Sequence, residues 1–339
     1  MTTPCNLLGL GNVLLDLVLT VSEAEFNSLR LPVPRGQVMR MTSEEQTALL
    51  NRFPAERIHR YPGGSCANVL RAFAWHGHPA KLLGLAGDDE AADFLFQSFQ
   101  DAGVDTSGIR RLSGHTTDCC LALVTPDGER TMLPCFDAGA QANADSFQDT
   151  AIDGYDHLHL EGYNLRFPAM LESVLALAKA RGLRFSWDLG DVSLVNAHRS
   201  KLQTLFRANP LACLFANQFE AQSFVGSNDA ATAAAALAEF AECAVVTANA
   251  DGAWVAARNT PPMHIPAVPP PRIVDTVGAG DSFQGTFLAS YYSGFPPDEA
   301  ARRASSFASR VIALPGATMP PMAPQAENNV KAIPVQSVL

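Results

Sequence analysis

The segment DTVGAGD, residues 275–281, is the stretch of sequence that says most about the fold and the chemistry of this chain. It lies between a strand-like run at 272–274 and a helix-like run at 282–292. A Gly-Ala-Gly turn that opens a helix leaves several backbone N–H groups without acceptors, beside the positive end of the helix dipole. We therefore predict a binding site for a phosphate group at residues 278–280.

Asp281 stands at the mouth of the same predicted helix. A carboxylate beside an anion site can take a proton from an alcohol while the site holds the phosphoryl group under attack. A single Asp at a helix start is more often only an N-cap. Here two glycines flank Ala279, acidic residues stand at both ends of the motif, and a predicted strand leads into it. This combination favours the phosphate site over the simple cap.

The composition is that of a globular protein with a large core. The chain has 339 residues, of which 47% are apolar and 17% are charged, and this length suggests one large or two modest domains. The formal net charge is −10. Nucleic acid and anionic membrane surfaces are therefore not expected partners, because binding a phosphate backbone needs a basic face.

The cysteines and the N-terminus favour a cytoplasmic location. There are seven cysteines, most of them in apolar surroundings, and no C-x-x-C pair occurs. An odd number of buried thiols is typical of a reducing compartment. The chain has neither a signal-like N-terminus nor a run of about 20 apolar residues. We therefore expect a protein of the cytoplasm that does not span a membrane.

Strand-like and helix-like runs alternate along most of the chain. The predicted strands are 6–10, 80–85, 157–160, 183–187, 211–216, 243–247 and 273–275, and the predicted helices are 67–75, 89–102, 168–180 and one from 281. This alternation predicts an α/β fold with a mainly parallel sheet covered on both faces. Ligands of such folds gather at the carboxyl ends of the strands, where Asn217, Thr247 and Asp275 fall.

Some segments interrupt this alternation. Residues 14–20 and 37–41 read as strands, and 117–133 reads as a hairpin with its turn at 126–128. Strands outside the main pattern suit a small second sheet that covers the site and excludes water. We predict a single domain at 1–325, a lid formed by about 13–62 and 114–136, and a tail at 326–339. The proline-rich 261–271 is predicted as an edge strand and a connector.

Two further groups of residues suit a hydroxyl-rich ligand. Gly63 and Gly64 permit close approach of the backbone, and Asn68, near a helix start, offers both a donor and an acceptor. Asn12 and Asp16 share one face if the chain is extended, and together they can bind vicinal hydroxyls. The alternatives are an ordinary turn before a helix for the first group and a solvated strand end for the second.

Two strand ends suit a nucleotide and its metal. Asn217 and Glu220 are one helical turn apart and are candidates for holding hydrated Mg²⁺ and phosphate oxygens. The alternative is a helix cap with its capping-box partner. Thr247 and the turn at Gly252 are candidate nucleotide contacts, with a plain hairpin as the alternative. His157 and His159 share a strand face without a third ligand, and we predict that both are structural.

These motifs resemble those of the ribokinase/adenosine kinase family, the PfkB-type carbohydrate kinases. The resemblance runs from about residue 8 to 317, and the DTVGAGD segment is its most specific part. The glycine pair with Asn68, and Asn217 with Glu220, follow in the family's order, as do 103–106 and 128–131. The family usually has glycine where Asn249 stands, and Asn tolerates the same positive φ angle better than most residues.

The resemblance implies a ribokinase-like, three-layer α/β/α core with a small β lid, ATP as donor and a small-molecule hydroxyl as acceptor. By position in the family's motifs, Asp281 is the catalytic base and Gly278, Ala279 and Gly280 form the anion hole. Asn217, Thr247 and Gly252 correspond to ATP contacts, and Glu220 to a Mg²⁺ contact through water. Asp275, Thr276 and Ala317 lie where many members bind a monovalent cation such as K⁺. Asn12, Asp16, Gly63, Gly64 and Asn68 match the acceptor contacts.

The acceptor is left open between a sugar and a ribonucleoside. GNVLLD at 11–16, GGS at 63–65 and PGATMP at 315–320 resemble the adenosine kinase branch, and Gln37 lies where that branch places a base-contacting Gln. That branch clamps its purine between aromatic rings, but here Asn164 and Ser193 occupy the corresponding stretches. Stacking a base on an aromatic ring is worth roughly 1–3 kcal/mol. Tyr163 is a candidate to replace one ring.

The sequence thus predicts an ATP- and Mg²⁺-dependent kinase for a sugar or nucleoside, as a monomer or a homodimer. Arg130, on the predicted hairpin, is a candidate contact for the transferring phosphoryl group. One alternative is a catalytically silent sugar- or nucleoside-binding regulator. Another is a dinucleotide-dependent oxidoreductase, which Leu14 at the third glycine position of the fingerprint disfavours.

Overall fold

A computed structural model describes residues 5–320 of the chain. The predicted tail at 326–339 and both ends of the predicted domain 1–325 lie outside this range. The α-helices within it are α1 Glu23–Leu29, α2 Ser43–Leu50, α3 Ser65–Trp75, α4 Glu90–Asp101, α5 Pro168–Ala180, α6 Val192–Ala208, α7 Gln218–Val225, α8 Ala230–Leu237, α9 Ala279–Tyr292 and α10 Pro297–Val311.

The larger of two sheets contains ten strands. They are β1 Leu7–Leu10, β4 Ala80–Gly87, β5 Val104–Asp105, β6 Ile109–Leu112, β9 His157–Glu161, β10 Arg184–Asp188, β11 Leu211–Asn217, β12 Ala241–Thr247, β13 Ala253–Ala257 and β14 Met263–Ile265. Their order is β14-β13-β12-β11-β10-β9-β1-β4-β5, with β6 also paired to β4. All pairs are parallel except the two that involve β13.

Helices cover both faces of this sheet. β1 and β9 are buried at every position, as expected for strands covered on both faces. One core contains residues of α3, α4, α9 and α10, and the other contains residues of α5 to α8. The predicted three-layer α/β/α architecture with a mainly parallel sheet is confirmed.

The second sheet has four strands and lies beside the first. It is formed by β2 Leu14–Thr20, β3 Ile58–Pro62, β7 Asp118–Val124 and β8 Arg130–Cys135, in the order β3-β2-β7-β8. The predicted strand at 14–20 and the predicted hairpin are confirmed. The predicted strand at 37–41 is wrong. This segment runs beside β8 but forms only one isolated β-bridge with it, between Val38 and Met132.

The segment before the DTVGAGD motif is not a strand. Residues 271–278 have irregular structure, and the amides of Val274 and Asp275 both bind the carbonyl of Ile312, at 2.9 and 3.1 Å. These bonds direct the segment past the end of α10 instead of along the edge of the sheet. The edge strand predicted within 261–271 is present as β14. No helix within residues 5–320 has the length and apolar sequence that crossing a bilayer requires.

Candidate active site

The carboxyl ends of five parallel strands meet at one edge of the large sheet. The polar residues at or just after these ends are Thr247 of β12, Asn217 of β11, Asp188 of β10, Glu161 of β9 and Asn12 beyond β1. The mouth of α9 faces the same edge, because Asp281, Asp188, Asn217 and Thr247 line a common cavity. This edge is where the topology of an α/β fold places a ligand.

Asp281 is held by donors from α3. Its Oδ1 accepts from the hydroxyl of Ser65 at 2.7 Å, and its Oδ2 accepts from the side-chain amide of Asn68 at 3.0 Å. The N-cap of α9 is Gly278, so Asp281 is the third helical residue and not the cap. Both carboxylate oxygens are therefore oriented by another helix.

The approach of α3 to α9 makes this contact possible. A Cβ atom at Gly285 would lie 2.2 Å from the carbonyl oxygen of Val69, so only glycine allows the two helices to come this close. Gly285 is one turn beyond Asp281, and Val69 is next to Asn68. The close crossing therefore brings the amide of Asn68 to the carboxylate of Asp281.

The start of α9 leaves backbone donors free. Gly278 has a φ angle of 74°, and α9 has no side-chain cap. Among residues 5–320, the amides of Gly280 and Asp281 have no acceptor, whereas the amide of Ala279 binds the carbonyl of Thr276 at 3.3 Å. Free amides at a helix N-terminus are suited to binding an anion.

A cavity of about 220 Å³ opens in front of these groups. It is lined by Ser65, Tyr163, Asp188, Gly190, Phe215, Ala216, Asn217, Glu220, Thr247, Gly280, Asp281 and Gln284. Six of the predicted site residues are among them, namely Tyr163, Asn217, Glu220, Thr247, Gly280 and Asp281.

Buried carboxyl groups dominate the electrostatics of this region. Burial raises the pKa of Asp281, while hydrogen bonds from Asn68 and Ser65 lower it. Burial, with Asp281 nearby, raises the pKa of Asp16 to about 7 and that of Glu161 to about 8. Burial also raises the pKa values of Asp188 and Glu220. These carboxylates repel one another when ionised, and a ligand that brings positive charge would relieve this repulsion.

The predicted acceptor residues pack together between β1 and the small sheet. A Cβ atom at Gly63 would lie 2.5 Å from Asp16 Oδ2, and one at Gly64 would lie 2.5 Å from the carbonyl oxygen of Asn12. Glycine is thus needed at both positions for this close packing. Gln37 is exposed, and its carbonyl accepts from the amide of Met132 at 3.0 Å.

Asn217 and Glu220, the residues predicted to bind the nucleotide and its metal, both cap a helix and line the cavity. The side chain of Asn217 caps α7, and Glu220 completes a capping box by accepting from the Asn217 amide at 2.8 Å. Both residues also line the cavity, so the capping geometry and the ligand site coexist. Thr247 ends β12 opposite Asn217, and Gly252 closes the following turn with a φ angle of 95°. Asn249 in this turn has the expected positive φ angle, 51°.

The predicted monovalent-cation ligands already have protein partners. Asp275 Oδ1 accepts from Arg130 at 2.6 Å and from the amide of Val277 at 3.0 Å, and its Oδ2 accepts from the amide of Gly316 at 3.0 Å. The carbonyl of Ala317 accepts from Arg71 at 3.0 Å. Thr276 is exposed. Two guanidinium groups thus hold oxygens that a K⁺ ion would need, and this set does not fit a bound K⁺.

Five residues of the site were missed by the sequence analysis. They are Ser65, Arg71, Glu161, Asp188 and Gln284. Gln284 lines the cavity, and its Oε1 is buried without a partner among residues 5–320. Glu161 and Asp188 directly follow the predicted strands 157–160 and 183–187 and are the last residues of β9 and β10, so their position at the ligand edge could have been noticed. Arg71 gave no such signal.

Comparison with known proteins decides the family. The family model described as "pfkB family carbohydrate kinase" matches residues 40–324. The chain belongs to the PfkB family of carbohydrate kinases. It is accordingly a phosphotransferase whose acceptor is a hydroxyl group, of the sugar or nucleoside kinase type.

Named relatives of this kinase include enzymes for ribose derivatives. It is 27% identical to the ATP-dependent ribose-1-phosphate kinase of Halopiger xanaduensis, over 77% of this chain and 83% of the relative. It is 29% identical to the aminoimidazole riboside kinase of Salmonella typhimurium, over 67% of this chain and 72% of the relative.

Solved structures share the fold. The adenosine kinase of Sinorhizobium meliloti superposes with a TM-score of 0.81 at 24% identity, covering 93% of this kinase and 96% of that chain. The ribokinase of Thermotoga maritima gives a TM-score of 0.67 at 20% identity, covering 92% and 94%. At these identities the likeness establishes the ribokinase-like fold.

Proposed function

We propose that this kinase transfers the γ-phosphoryl group of Mg-ATP to a hydroxyl group of a sugar or ribonucleoside, with Asp281 as general base. One observation carries the proposal. The carboxylate of Asp281 is fixed by Ser65 and Asn68 at the mouth of a helix whose Gly280 amide is free. Proton acceptor and anion site therefore lie side by side in one cavity.

The reaction follows from this arrangement. The acceptor hydroxyl gives its proton to Asp281 as its oxygen attacks the γ-phosphorus. The new O–P bond forms while the bond from the γ-phosphorus to the β,γ-bridging oxygen breaks, and ADP leaves with that electron pair. The free amides of Gly280 and Asp281, at the positive end of the dipole of α9, stabilise the charge on the phosphoryl oxygens, whereas the amide of Ala279 is already bonded to Thr276.

The metal would enter with the nucleotide. Among residues 5–320, no group of three or more His, Cys, Asp or Glu side chains could hold a metal ion alone. Mg²⁺ often binds through one or two carboxylates, waters and substrate phosphates, and Glu220 and Asp188 at the cavity suit that role. When bound, Mg²⁺ neutralises charge on the ATP phosphates. Asn217, Thr247 and Gly252 are the proposed ATP contacts.

The acceptor would bind on the side of the small sheet. Asn12, Asp16, Gly63, Gly64 and Tyr163 are its proposed contacts, and segments 13–62 and 114–136 its proposed lid. Asn164 is buried and spans Glu161 and Leu10 through hydrogen bonds of 2.8 and 3.0 Å, so it offers no flat surface to a purine. The named relatives act on ribose-1-phosphate and on a riboside. We propose that the polyol is the recognised part of the acceptor.

The cellular setting completes the proposal. All seven cysteines are free, and six of them are buried. Burial raises the pKa of thiols such as Cys5 and Cys120 to about 12, which keeps them protonated and unreactive. Unpaired thiols and the use of ATP support a cytoplasmic location.

Replacement of the base tests the mechanism. Asp281→Asn should lower kcat by about 10²–10⁴-fold, because the amide accepts no proton, while ATP still binds. The measurement is steady-state phosphorylation of a productive acceptor, with ATP affinity determined by calorimetry. Asp153→Asn, on the exposed loop after residue 152, is the matched control and should behave as wild type. Near-wild-type turnover of Asp281→Asn would refute the assignment.

A further inference from the structure

We infer that Arg71 is a positioning residue that fixes the orientation of Asp281 and the packing of the anion-hole turn at the same time. This inference rests on the proposed role of Asp281 as base. Arg71 lies on α3 and is only 7% exposed. An arginine is rarely buried to this extent unless its guanidinium has defined partners.

The first partner is the amide that orients the base. Arg71 Nη1 donates to Asn68 Oδ1 at 3.0 Å, and Asn68 Nδ2 donates to Asp281 Oδ2 at 3.0 Å. The bond from Arg71 fixes which end of the Asn68 amide faces the carboxylate. If the amide turned over, its oxygen would face Asp281 and the hydrogen bond would be replaced by repulsion.

The second partner belongs to the loop that supports the anion-hole turn. The same nitrogen of Arg71 donates to the carbonyl of Ala317 at 3.0 Å. The Cα of Ala317 lies 3.0 Å from where a Cβ atom on Gly278 would stand, and the amide of Gly316 holds Asp275 Oδ2. Through residues 316 and 317, the buried guanidinium of Arg71 therefore stabilises the positions of both Asp275 and Gly278 in the DTVGAGD segment.

The charge of Arg71 acts on the base directly. Carboxyl groups from four other elements face Asp281, namely Asp16 of β2, Glu161 of β9, Asp188 of β10 and Glu220 of α7. Against these, the Arg71 guanidinium favours the ionised form of Asp281 and lowers its pKa. A base must be ionised to accept a proton, so this charge supports catalysis near neutral pH.

Two substitutions separate the charge from the hydrogen bonds. Arg71→Gln keeps a polar donor but removes the charge, and Arg71→Lys keeps the charge but cannot reach both acceptors. Arg303→Gln, on the exposed face of α10, is the matched control. The measurement is the pH profile of kcat/KM and of kcat between pH 5 and 9, with Tm recorded for each variant.

The expected results differ between the variants. Arg71→Gln should move the acid limb of kcat/KM to higher pH, because Asp281 loses a positive charge that lowers its pKa. Arg71→Lys should keep the acid limb in place but lower kcat several-fold, with KM for ATP unchanged. Arg303→Gln should change neither.

Several outcomes would overturn the inference. A folded Arg71→Gln protein with the wild-type acid limb would show that Arg71 serves stability alone. If Arg71→Gln does not fold, Arg71→Lys decides, and an unchanged kcat in that variant would refute the role. Full activity of Asp281→Asn would instead refute the proposed base, which is a separate failure.

Discussion

Three residues at the start of α9 differ in how much room the fold leaves them. A Cβ atom on Gly278 would lie 2.3 Å from the Cβ of Ala317, and the φ angle of 74° already disfavours any other residue. A Cβ atom on Gly280 would meet no protein atom within 4 Å, because this residue faces the cavity. Asp281 is fixed by two hydrogen bonds. The fold therefore requires the first glycine, whereas the second faces the proposed phosphate site.

This difference predicts separate effects of one added methyl group. Gly278→Ala should lower the free energy of unfolding by about 1–3 kcal/mol, through the positive φ angle and the clash with Ala317. Gly280→Ala should leave stability unchanged and raise KM for ATP, because its methyl group enters the proposed phosphate site. Urea unfolding and initial-rate kinetics measure the two effects. Equal loss of stability in both variants would contradict the distinction.

Single residues were predictable where their signal is local. The Gly-Ala-Gly turn and Asp281 are adjacent in the sequence, so their joint chemistry could be inferred from spacing alone. Arg71 could not be identified, because its partner Ala317 is 246 residues away and comes near only when α3 packs against α9. Asn68 was expected to bind a ligand hydroxyl, but its amide is already bonded to Asp281.

At the scale of elements, the β7–β8 hairpin is tied to the anion-hole segment by one ion pair. Arg130, at the start of β8, donates to Asp275 at 2.6 Å, and the Asp275 side chain is only 10% exposed. Arg130 was a candidate for contact with the phosphoryl group. In the structure it instead forms an ion pair with Asp275, the first residue of the DTVGAGD segment. The hairpin is thereby held beside the proposed reaction centre.

Loss of this pair should let water compete with the acceptor. In Arg130→Gln, the hairpin loses its charged contact with Asp275, so we expect slower acceptor phosphorylation and a larger share of ATP hydrolysed without acceptor. The ratio of ADP formed to acceptor phosphorylated measures this leak. Arg57→Gln removes a partly exposed ion pair with Glu25 in another part of the proposed lid and serves as the control. A ratio of one in Arg130→Gln would contradict a water-excluding role.

The same contacts predict independence from K⁺. Arg130 holds the carboxylate of Asp275 and Arg71 holds the carbonyl of Ala317, so wild-type activity should be the same in potassium and choline salts. Arg130→Gln removes the positive charge beside the Asp275 carboxylate, and K⁺ should then raise the Tm of this variant where choline does not. A wild-type enzyme that loses its activity without K⁺ would refute this prediction.

Elements were predictable where hydrophobic patterns are strong. Strands β9 to β12, helix α5 and the β7–β8 hairpin follow buried runs and turn residues visible in the sequence. The 17-residue α6 was missed because most of its residues are polar, so its apolar periodicity is weak. Its narrow buried face consists of Leu194, Val195, Leu202 and Phe206. The expected strand at 273–275 fails because two of its amides bind the end of α10 instead.

At the scale of the whole molecule, a buried polar network joins the C-terminal end of α9 to strands β9 and β10 of the large sheet. The Tyr292 hydroxyl lies 2.7 Å from His157 Nδ1, and Ser186 Oγ lies 2.8 Å from both His157 Nε2 and His159 Nδ1. Both imidazoles are fully buried, and burial lowers the pKa of His159 to about 3. The burial and the hydrogen bonds of both rings agree with the prediction that these histidines are structural.

This network should make the fold sensitive to acid. The folded protein keeps His159 neutral, while in the unfolded chain the same imidazole has its ordinary pKa of 6.5 and binds a proton below that pH. Stability therefore falls as the pH drops from 6.5 toward 3. Between pH 7.5 and pH 5 the proton on His159 should cost about 2 kcal/mol. His159→Leu should gain about that much relative to wild type over this interval in urea unfolding.

The exposed His59 provides the control for this prediction. His59→Leu should show no such pH-dependent gain, since this side chain is exposed to solvent and takes no part in the buried network. The buried carboxyls of the active site act with the opposite sign, but they are the same in all three proteins and cancel in the comparison. A constant difference between His159→Leu and wild type would contradict the account.

We propose that the whole fold serves phosphoryl transfer to a small-molecule hydroxyl at Asp281. The most direct measurement is mass spectrometry of wild type and Asp281→Asn incubated with Mg-ATP and separate nucleosides, ribose, fructose and sugar acids. We predict that wild type converts at least one acceptor into its monophosphate ester with an equal amount of ADP, and that Asp281→Asn does not. Binding of an acceptor with no phosphorylated product would contradict the claim and favour a silent binding protein.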